Sequence, residues 1–333
     1  MSREPIPARI STSSKVLVER QFLVTVTEPV AIAIVGVGKI ARDQHLPSIA
    51  SNARFRLAAT ASRHGGVDGV ENFETIDTLL SARSDVQAVA LCQPPQVRFE
   101  AAAKAIRAGR HVLLEKPPGA TIAEVETLVA MARSQGVSLF ATWHSRFATG
   151  VEPTREWLKG KTVRRVAVTW KEDVRRWHPG QAWIWEPGGL GVFDPGINAL
   201  SIVTAILPPV HVTRATLEFP EGRDAPIAAQ LTFAGESGFS ATADFDWRQT
   251  GPQTWDIEVE TDEGRLVLSK GGAEMLVDGK AVLADSDQEY AGIYRRFAEL
   301  IEAGESDIDL SPLVHVADAF MLGRRSVVEP FED

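Results

Sequence analysis

Five short apolar runs divide the first part of the chain at regular intervals, at residues 30–35, 55–61, 86–92, 111–114 and 137–142. Runs of this length without polar alternation are typical of strands buried on both faces of a parallel sheet. Segments with helical apolar spacing separate them, at residues 40–50, 76–82, 96–108 and 121–135. The last segment opens with the capping-box spacing of Thr121 and Glu124. Alternating strands and helices predict right-handed crossovers and an α/β domain with helices on both faces of the sheet.

The pattern changes after about residue 148. It predicts a strand at 163–170, a long ordered loop at 173–191 and a helix at 197–206. Short strands follow at 212–219, 226–234, 238–247, 254–261 and 264–269, and two helices close the chain at 287–303 and 312–326. Strands joined by tight turns predict an antiparallel sheet. We therefore predict two domains, 28–147 and 148–333, after a polar extension at 1–27 that we expect to be disordered or to result from a start codon placed too far upstream.

Composition narrows the functional classes. The 333 residues include 35 Lys+Arg and 44 Asp+Glu, a net charge of −9, which disfavours binding to nucleic acid phosphates. The single cysteine, Cys92, forms neither an internal disulfide nor a thiolate metal site, and fits a reducing cytoplasm. We expect no metal. No apolar run reaches the roughly 18 residues of a membrane span, so we expect no membrane association.

A glycine-rich turn, Gly36-x-Gly38-x-x-Ala41, joins the first predicted strand to the first helix. In this context the first glycine allows a tight turn, and the second lets the backbone approach a pyrophosphate. The free N–H groups at Lys39 and Ile40 would face the phosphates at the helix start. The turn predicts dinucleotide binding, and the alternative is a glycine-rich turn without a ligand.

The end of the second strand distinguishes NAD from NADP. An acidic residue there would bind the ribose 2′-hydroxyl and repel a 2′-phosphate, but this chain has Ser62-Arg63. Arg63 can hold a 2′-phosphate through two charge-assisted bonds, and Ser62 can add a third. We expect NADP to be favoured, with NAD also usable. The alternative is an arginine that is merely solvated.

Three further elements carry candidate chemistry. Glu115-Lys116-Pro117 follows the fourth strand, at the sheet edge where doubly wound folds bind ligands. Asp194 and Asn198 are four residues apart and would share one face of a helix, although Asp194 could be only a helix cap. The polar loop 171–178 contains Trp177 and has the polar and aromatic groups that bind a sugar. The simpler interpretation is a salt-bridged surface segment.

These motifs, in this order, resemble the Gfo/Idh/MocA oxidoreductases. The resemblance rests on the glycine turn, Gln93-Pro94-Pro95, the 108–117 stretch ending in Glu-Lys-Pro, and the 188–198 stretch. It covers about residue 30 to the end. It implies an α/β protein in which an N-terminal Rossmann dinucleotide-binding domain precedes an α+β domain with a large, mostly antiparallel open sheet. That sheet would form a homo-oligomer, a dimer. The resemblance also places Gln93, Pro94 and Glu115 at the cofactor.

Within the family, the stretches 143–146, 170–181 and 191–198 resemble enzymes that oxidise L-arabinose and D-galactose at C1. This likeness implies an NAD(P)-dependent aldose 1-dehydrogenase that forms the lactone. It assigns Lys116, Asp194 and Asn198 to catalysis, and the sugar contacts to His144, Glu172 and Trp177. Many family members use a histidine acid–base where this chain has Asn198. Since asparagine cannot titrate, we assign the base to Asp194, with Lys116 stabilising negative charge on the same oxygen.

Two other functions fit the same motifs. One is a non-catalytic NADP-binding sensor or corepressor of the same fold, which would be expected to lose Lys116 and Asp194. The other is a dehydrogenase of another sugar or cyclitol hydroxyl. The partner in the preferred reading is a small aldose.

Overall fold

The computed structural model describes residues 28–235, 238–285 and 288–332, so the predicted extension at 1–27 lies outside the described residues. Two sheets organise the described chain, one of six strands and one of nine. Within these ranges no helix combines the length and apolarity that a membrane crossing needs.

The first sheet is parallel throughout. Its strands are β1 (Val30–Val35), β2 (Phe55–Ala61), β3 (Asn72–Phe73), β4 (Ala88–Leu91), β5 (His111–Leu114) and β6 (Leu139–Ala141). The strand order is β3-β2-β1-β4-β5-β6, so the winding reverses between β1 and β4. The helices here are α1 (Leu46–Ala50), α2 (Ile76–Ala82), α3 (Arg98–Arg107) and α4 (Ile122–Gln135), with a π-helical turn at Ala41–His45. The predicted Rossmann architecture is confirmed, and ligands of such sheets bind at this reversal.

The unbroken apolar runs arise because both faces of the sheet are covered. Ala31, Ala33 and Val35 pack into a core shared with α2, α3 and α4, while Ile32 and Ile34 point into a second core on the other face. Each face therefore receives alternate side chains of one strand, which leaves no position for a polar residue.

The start of α4 differs slightly from a capping box. The Thr121 hydroxyl accepts a hydrogen bond from the Glu124 N–H at 3.2 Å, as predicted. The Glu124 carboxylate accepts from the Ala120 N–H at 3.1 Å instead of the Thr121 N–H. The helix start is capped, but the reciprocal bond falls one residue earlier.

The second sheet is mixed, and most of its neighbouring strands in the described chain are antiparallel. Its strands are β7 (Val163–Lys171), β8 (Val210–Pro220), β9 (Ala228–Gly235), β10 (Ser240–Asp246), β11 (Thr254–Thr261), β12 (Gly264–Ser269), β13 (Glu274–Val277), β14 (Lys280–Ala284) and β15 (Arg324–Val328). They lie in the order β14-β13-β12-β11-β7-β10-β9-β8-β15, with β7–β10 and β8–β15 parallel. The helices of this half are α5 (Val151–Leu158), α6 (Val174–Trp177), α7 (Phe193–Ile206), α8 (Glu289–Ala303) and α9 (Ser311–Leu322). The predicted large, mostly antiparallel sheet is confirmed.

The sequence pattern misplaces some elements of this half. The predicted helix at 312–326 is wrong at its end, because α9 stops at Leu322 and residues 324–328 form the edge strand β15. Gly323 has an extended backbone that ends the helix, and the exposed edge position removes the apolar alternation that would have indicated a strand. The pattern also does not predict α5, β13 or β14. The predicted loop at 173–191 contains α6 and a short 3₁₀ turn, Ala182–Trp185.

Helix α8 packs on the first sheet although it follows most of the second sheet in the chain. Tyr290, Ile293, Tyr294 and Phe297 join the core that contains Ile32 and Ile34 of β1. A segment from beyond residue 148 thus covers one face of the N-terminal sheet. The division at 147/148 stays a prediction.

Candidate active site

The glycine turn after β1 leaves room for a ligand backbone. Gly36 has φ +89°, and a Cβ there would lie 3.0 Å from the Gln93 backbone nitrogen, so the turn needs glycine. A Cβ on Gly38 would meet no atom within 4 Å, which means that this position faces open space. The Lys39 ammonium pairs with Asp43 on the helix surface, and Ile40 stands directly before the π-helical turn.

Two more predicted cofactor residues flank this space. Gln93, just after β4, has a buried Oε1 without a hydrogen-bond partner in the described structure, and Pro94 follows it. A buried orphan acceptor beside an open glycine turn is the arrangement that a bound dinucleotide would complete. The residues present therefore fit a nicotinamide dinucleotide.

Ser62 and Arg63 follow β2, the neighbour of β1. The Ser62 hydroxyl accepts from the His64 N–H at 3.3 Å. Arg63 is exposed, and the described residues offer its guanidinium neither a hydrogen bond nor an ion pair. Its charge is therefore available to a ligand phosphate.

Lys116 and Asp194 meet as the sequence predicts. The Lys116 Nζ lies 2.8 Å from Asp194 Oδ2 and 3.1 Å from the Asp194 carbonyl oxygen. Lys116 comes from the end of β5 and Asp194 from the first turn of α7, so the pair joins the two halves of the chain. The Asp194 side chain is 2% exposed. Burial raises the pKa of Asp194, but the charge and hydrogen bond of Lys116 together with His178 lower it more, so the net pKa lies below its ordinary value.

His178 reaches the same carboxylate, and the sequence placed it in the loop that suits a sugar without giving it a role of its own. It follows α6, and its Nε2 lies 3.4 Å from Asp194 Oδ2. Burial lowers the pKa of His178 although the Asp194 carboxylate favours the charged ring. A histidine in a tryptophan-rich loop was the available signal. Asn198 lies half-buried one helical turn after Asp194.

Glu172 lies at the end of β7 and is held by two indoles. Trp247 Nε1 donates to Glu172 Oε1 at 3.1 Å, and Trp255 Nε1 donates to Oε2 at 2.9 Å. Burial raises the pKa of Glu172 to about 7, despite these two donors, which lower it. The Trp177 ring contacts the Trp255 ring edge-on, with centroids 5.5 Å apart. Trp177 is 36% exposed, so its ring can meet a ligand.

His144 contacts two residues of α8. Its Nδ1 lies 2.5 Å from Glu289 Oε2, and its ring stacks on Tyr290 with centroids 5.4 Å apart. Burial lowers the pKa of His144, but the Glu289 and Glu115 carboxylates together raise it more, so the net pKa is raised.

Glu115 lies in the interior, with both carboxylate oxygens occupied. Oε1 accepts from the Tyr290 hydroxyl at 2.7 Å and contacts His45 Nε2 at 3.0 Å, while Oε2 accepts from the Lys116 N–H at 2.7 Å. Burial raises the pKa of Glu115, but His45, His144 and Tyr290 together lower it more, to about 2. The structure therefore shows a carboxylate that fixes the backbone of Lys116, and direct cofactor contact stays a prediction.

Arg98 is a second residue that sequence reasoning missed. Its buried guanidinium donates to three backbone carbonyl oxygens, those of Gln93, Glu115 and Pro117. Arg98 thus ties the segment after β4 to the segment after β5. Within a helical pattern it looks like an ordinary surface charge, so no sequence signal marks it.

The fold and this site define a dinucleotide-dependent oxidoreductase. Residues 30–142 match the family described as an oxidoreductase family with an NAD-binding Rossmann fold, Gfo/Idh/MocA. The chain is 43% identical to galactose 1-dehydrogenase of Pseudomonas fluorescens over 92% of this chain and 100% of that protein. It belongs to the Gfo/Idh/MocA family.

Solved structures agree with this assignment. A D-galactose-1-dehydrogenase from Rhizobium etli is 61% identical, with a TM-score of 0.89, covering 92% of this chain and 99% of that one. A 3-ketoreductase from Actinomadura kijaniata, solved with NADP, has a TM-score of 0.77 at 21% identity and shares the fold over 90% of this chain and 99% of that one. The predicted family, the NAD(P) cofactor class and sugar dehydrogenase chemistry at a CH–OH group are confirmed. The roles of the individual site residues stay predictions.

Proposed function

We propose that the protein is an NAD(P)-dependent aldose 1-dehydrogenase that oxidises D-galactose to its lactone, with L-arabinose as a second substrate. The observation that supports this most directly is the buried Lys116–Asp194 pair, which stands at the ligand-binding edge of the first sheet. The similarity to two galactose 1-dehydrogenases supports the choice of sugar.

The oxidised nicotinamide, when bound, accepts the hydride from C1. Gly36, Gly38 and Gln93 would hold the dinucleotide. Asp194, ionised at neutral pH because its pKa is lowered, takes the proton from the anomeric hydroxyl. The Lys116 ammonium, 2.8 Å from Asp194, donates to the same sugar oxygen and stabilises the negative charge that develops there.

The sugar would lie between this pair and the tryptophan cluster. Trp177 offers an aromatic face for the C–H side of a pyranose. His144, Glu172 and Asn198 supply polar groups for the ring hydroxyls. L-Arabinopyranose and D-galactopyranose share their configuration at C2, C3 and C4, so one set of polar groups can bind both. Ser62 and the exposed Arg63 favour NADP over NAD.

The test is a panel of D-galactose, L-arabinose, D-fucose and D-glucose with each cofactor, followed by the absorbance of the reduced nicotinamide. The first three sugars should be oxidised, and D-glucose, the C4 epimer of galactose, should react with a far lower kcat/KM. A site that binds a hydroxyl rejects the epimer because its own polar groups are left unpaired. Equal kcat/KM for glucose and galactose would contradict the proposed recognition of C4. No turnover of any aldose would favour the sensor.

We also propose that the protein is a cytoplasmic homodimer that associates through the open face of the second sheet. Alternate side chains of the central strands face away from the helices, and Thr232 and Thr242 on that face are exposed. Sedimentation of wild type and Thr242→Arg tests the dimer, because a buried arginine there should dissociate it. A wild-type monomer would contradict the proposal. Cell fractionation tests the compartment.

A further inference from the structure

Asp194 has to lose a proton in every catalytic cycle. In the proposed reaction it receives the O1 proton of the sugar, yet its side chain is only 2% exposed. Lys116, its closest polar neighbour, is an ammonium whose N–H groups donate and which cannot take up a further proton. The proton therefore needs another route to solvent.

His178 stands between Asp194 and solvent. Its Nε2 lies 3.4 Å from Asp194 Oδ2, and its side chain is 17% exposed. On the other side of the ring, Nδ1 lies 3.4 Å from Gln181 Oε1. The Trp247 ring packs against the imidazole, with centroids 5.2 Å apart, and limits its rotation.

Both ring nitrogens of His178 face an oxygen at 3.4 Å, so these contacts do not fix the tautomer while Asp194 is ionised. When Asp194 takes up the substrate proton, its O–H becomes a donor and favours the tautomer with Nδ1–H toward Gln181 Oε1 and a lone pair on Nε2. Once Asp194 is protonated, its O–H can donate to Nε2.

We propose that His178 is the proton acceptor for Asp194 and carries the substrate proton to solvent. The sugar loses hydride from C1 to the nicotinamide and the O1 proton to Asp194, which leaves the lactone carbonyl. The Asp194 O–H bond then breaks as the N–H bond forms at Nε2 of His178. The resulting imidazolium releases a proton to water, and both residues return to their starting states. This inference rests on the proposed dehydrogenase function.

The charged groups that face His178, Asp194 and Lys116, change how readily its ring takes up a proton. Asp194 on α7 favours the imidazolium, while Lys116 after β5 and burial of the ring oppose it. Gln181 and Trp247 are uncharged. The ring is therefore neutral at neutral pH, and activity should fall as the pH drops through its lowered pKa. Glu172, whose pKa is about 7, could add a second limb, which Glu172→Gln would remove.

The first experiment needs no cofactor. In the apoprotein, NMR titration of the seven histidines identifies the His178 signal as the one missing from His178→Gln. Asp194→Asn should lower the His178 pKa further, because it removes the carboxylate that favours the imidazolium. The signal of the exposed His211 should not differ between the two proteins and serves as the control.

The second experiment measures turnover of D-galactose. His178→Gln keeps a side chain that can bond Asp194 but cannot titrate. It should lower kcat by about 10²-fold, change KM less than about threefold and abolish the acidic limb that persists in Glu172→Gln. Added imidazole should restore activity to His178→Ala by at least about tenfold. His211→Gln is the matched control and should behave as wild type.

Three results would overturn the proposal. The first is an unchanged kcat and pH profile in His178→Gln. The second is a His178 pKa that is the same in wild type and Asp194→Asn. The third is no rescue of His178→Ala by imidazole. If wild type oxidises sugars and any of these holds, only the relay fails. If wild type oxidises no aldose, the proposed function fails and the relay with it.

Discussion

Replacing Glu172 with glutamine should change how stability depends on pH. In the folded protein its pKa is about 7 instead of the ordinary 4.5, because burial disfavours the charged form. The folded state therefore holds this proton more tightly than the unfolded state does. The resulting stabilisation is complete below about pH 4.5 and is lost as the pH rises through about 7.

The size of the effect follows from these two values. At about 1.4 kcal/mol per pH unit, the difference between 4.5 and about 7 amounts to about 3 kcal/mol. About 2.5 kcal/mol of it should fall between about pH 5 and about pH 8. Glutamine cannot accept from both Trp247 and Trp255, so Glu172→Gln also loses about 1–3 kcal/mol at every pH. That second loss cancels when the two pH values are compared.

Urea unfolding followed by tryptophan fluorescence at about pH 5 and about pH 8 provides the measurement. Between these values wild type should lose about 2–3 kcal/mol relative to Glu172→Gln. Glu263→Gln, which removes an exposed carboxylate paired with Lys161, should follow wild type and serves as the control. Parallel pH dependence in wild type and Glu172→Gln would refute the claim that Glu172 carries this proton.

Four other substitutions test the rest of the site. Lys116→Ala and Asp194→Ala should each lower kcat by on the order of 10²–10⁴ with little change in cofactor affinity, and near-normal turnover in steady-state assays would contradict the assigned role. Arg63→Ala should weaken NADP binding by about 1.5–3 kcal/mol and leave NAD unaffected, whereas equal losses in cofactor titrations would indicate a structural role. Arg98→Lys should lower the melting temperature and weaken both cofactors, since lysine cannot reach three carbonyl oxygens at once. An unchanged melting temperature in calorimetry would show that the bonds from Arg98 contribute little to stability.

Local sequence patterns were sufficient to predict an element where its own residues determine its structure. The strands at 55–61 and 111–114 and the helix at 76–82 have the predicted bounds, because the strands are mostly buried and the helix buries residues at helical spacing, Ile76 and Leu79. The glycine turn was predictable for a similar reason, since φ +89° at Gly36 requires glycine. Edge strands such as β15 lack this signal, because their side chains are exposed on both sides.

The contacts inside the candidate site could not be predicted from local sequence patterns. The spacing of Tyr290, Ile293 and Phe297 indicates an amphipathic helix, but it does not say which sheet that helix covers. Arg98 depends on carbonyl groups at the ends of two other segments, so its own neighbours in sequence are uninformative. The family likeness paired Lys116 with Asp194, but only the three-dimensional arrangement adds His178.

Lys116 is constrained from two directions, and this links parts of the chain that are distant in sequence. Glu115, held by Tyr290 from α8, accepts the Lys116 backbone N–H, while Asp194 from α7 binds its ammonium group. Both tyrosines of the protein, Tyr290 and Tyr294, lie on α8 and contact this buried cluster. The position of the ammonium group therefore depends on α8 as well as on the strand that carries Lys116. Packing of the C-terminal helix onto the Rossmann sheet is consequently part of what orients the proposed chemistry.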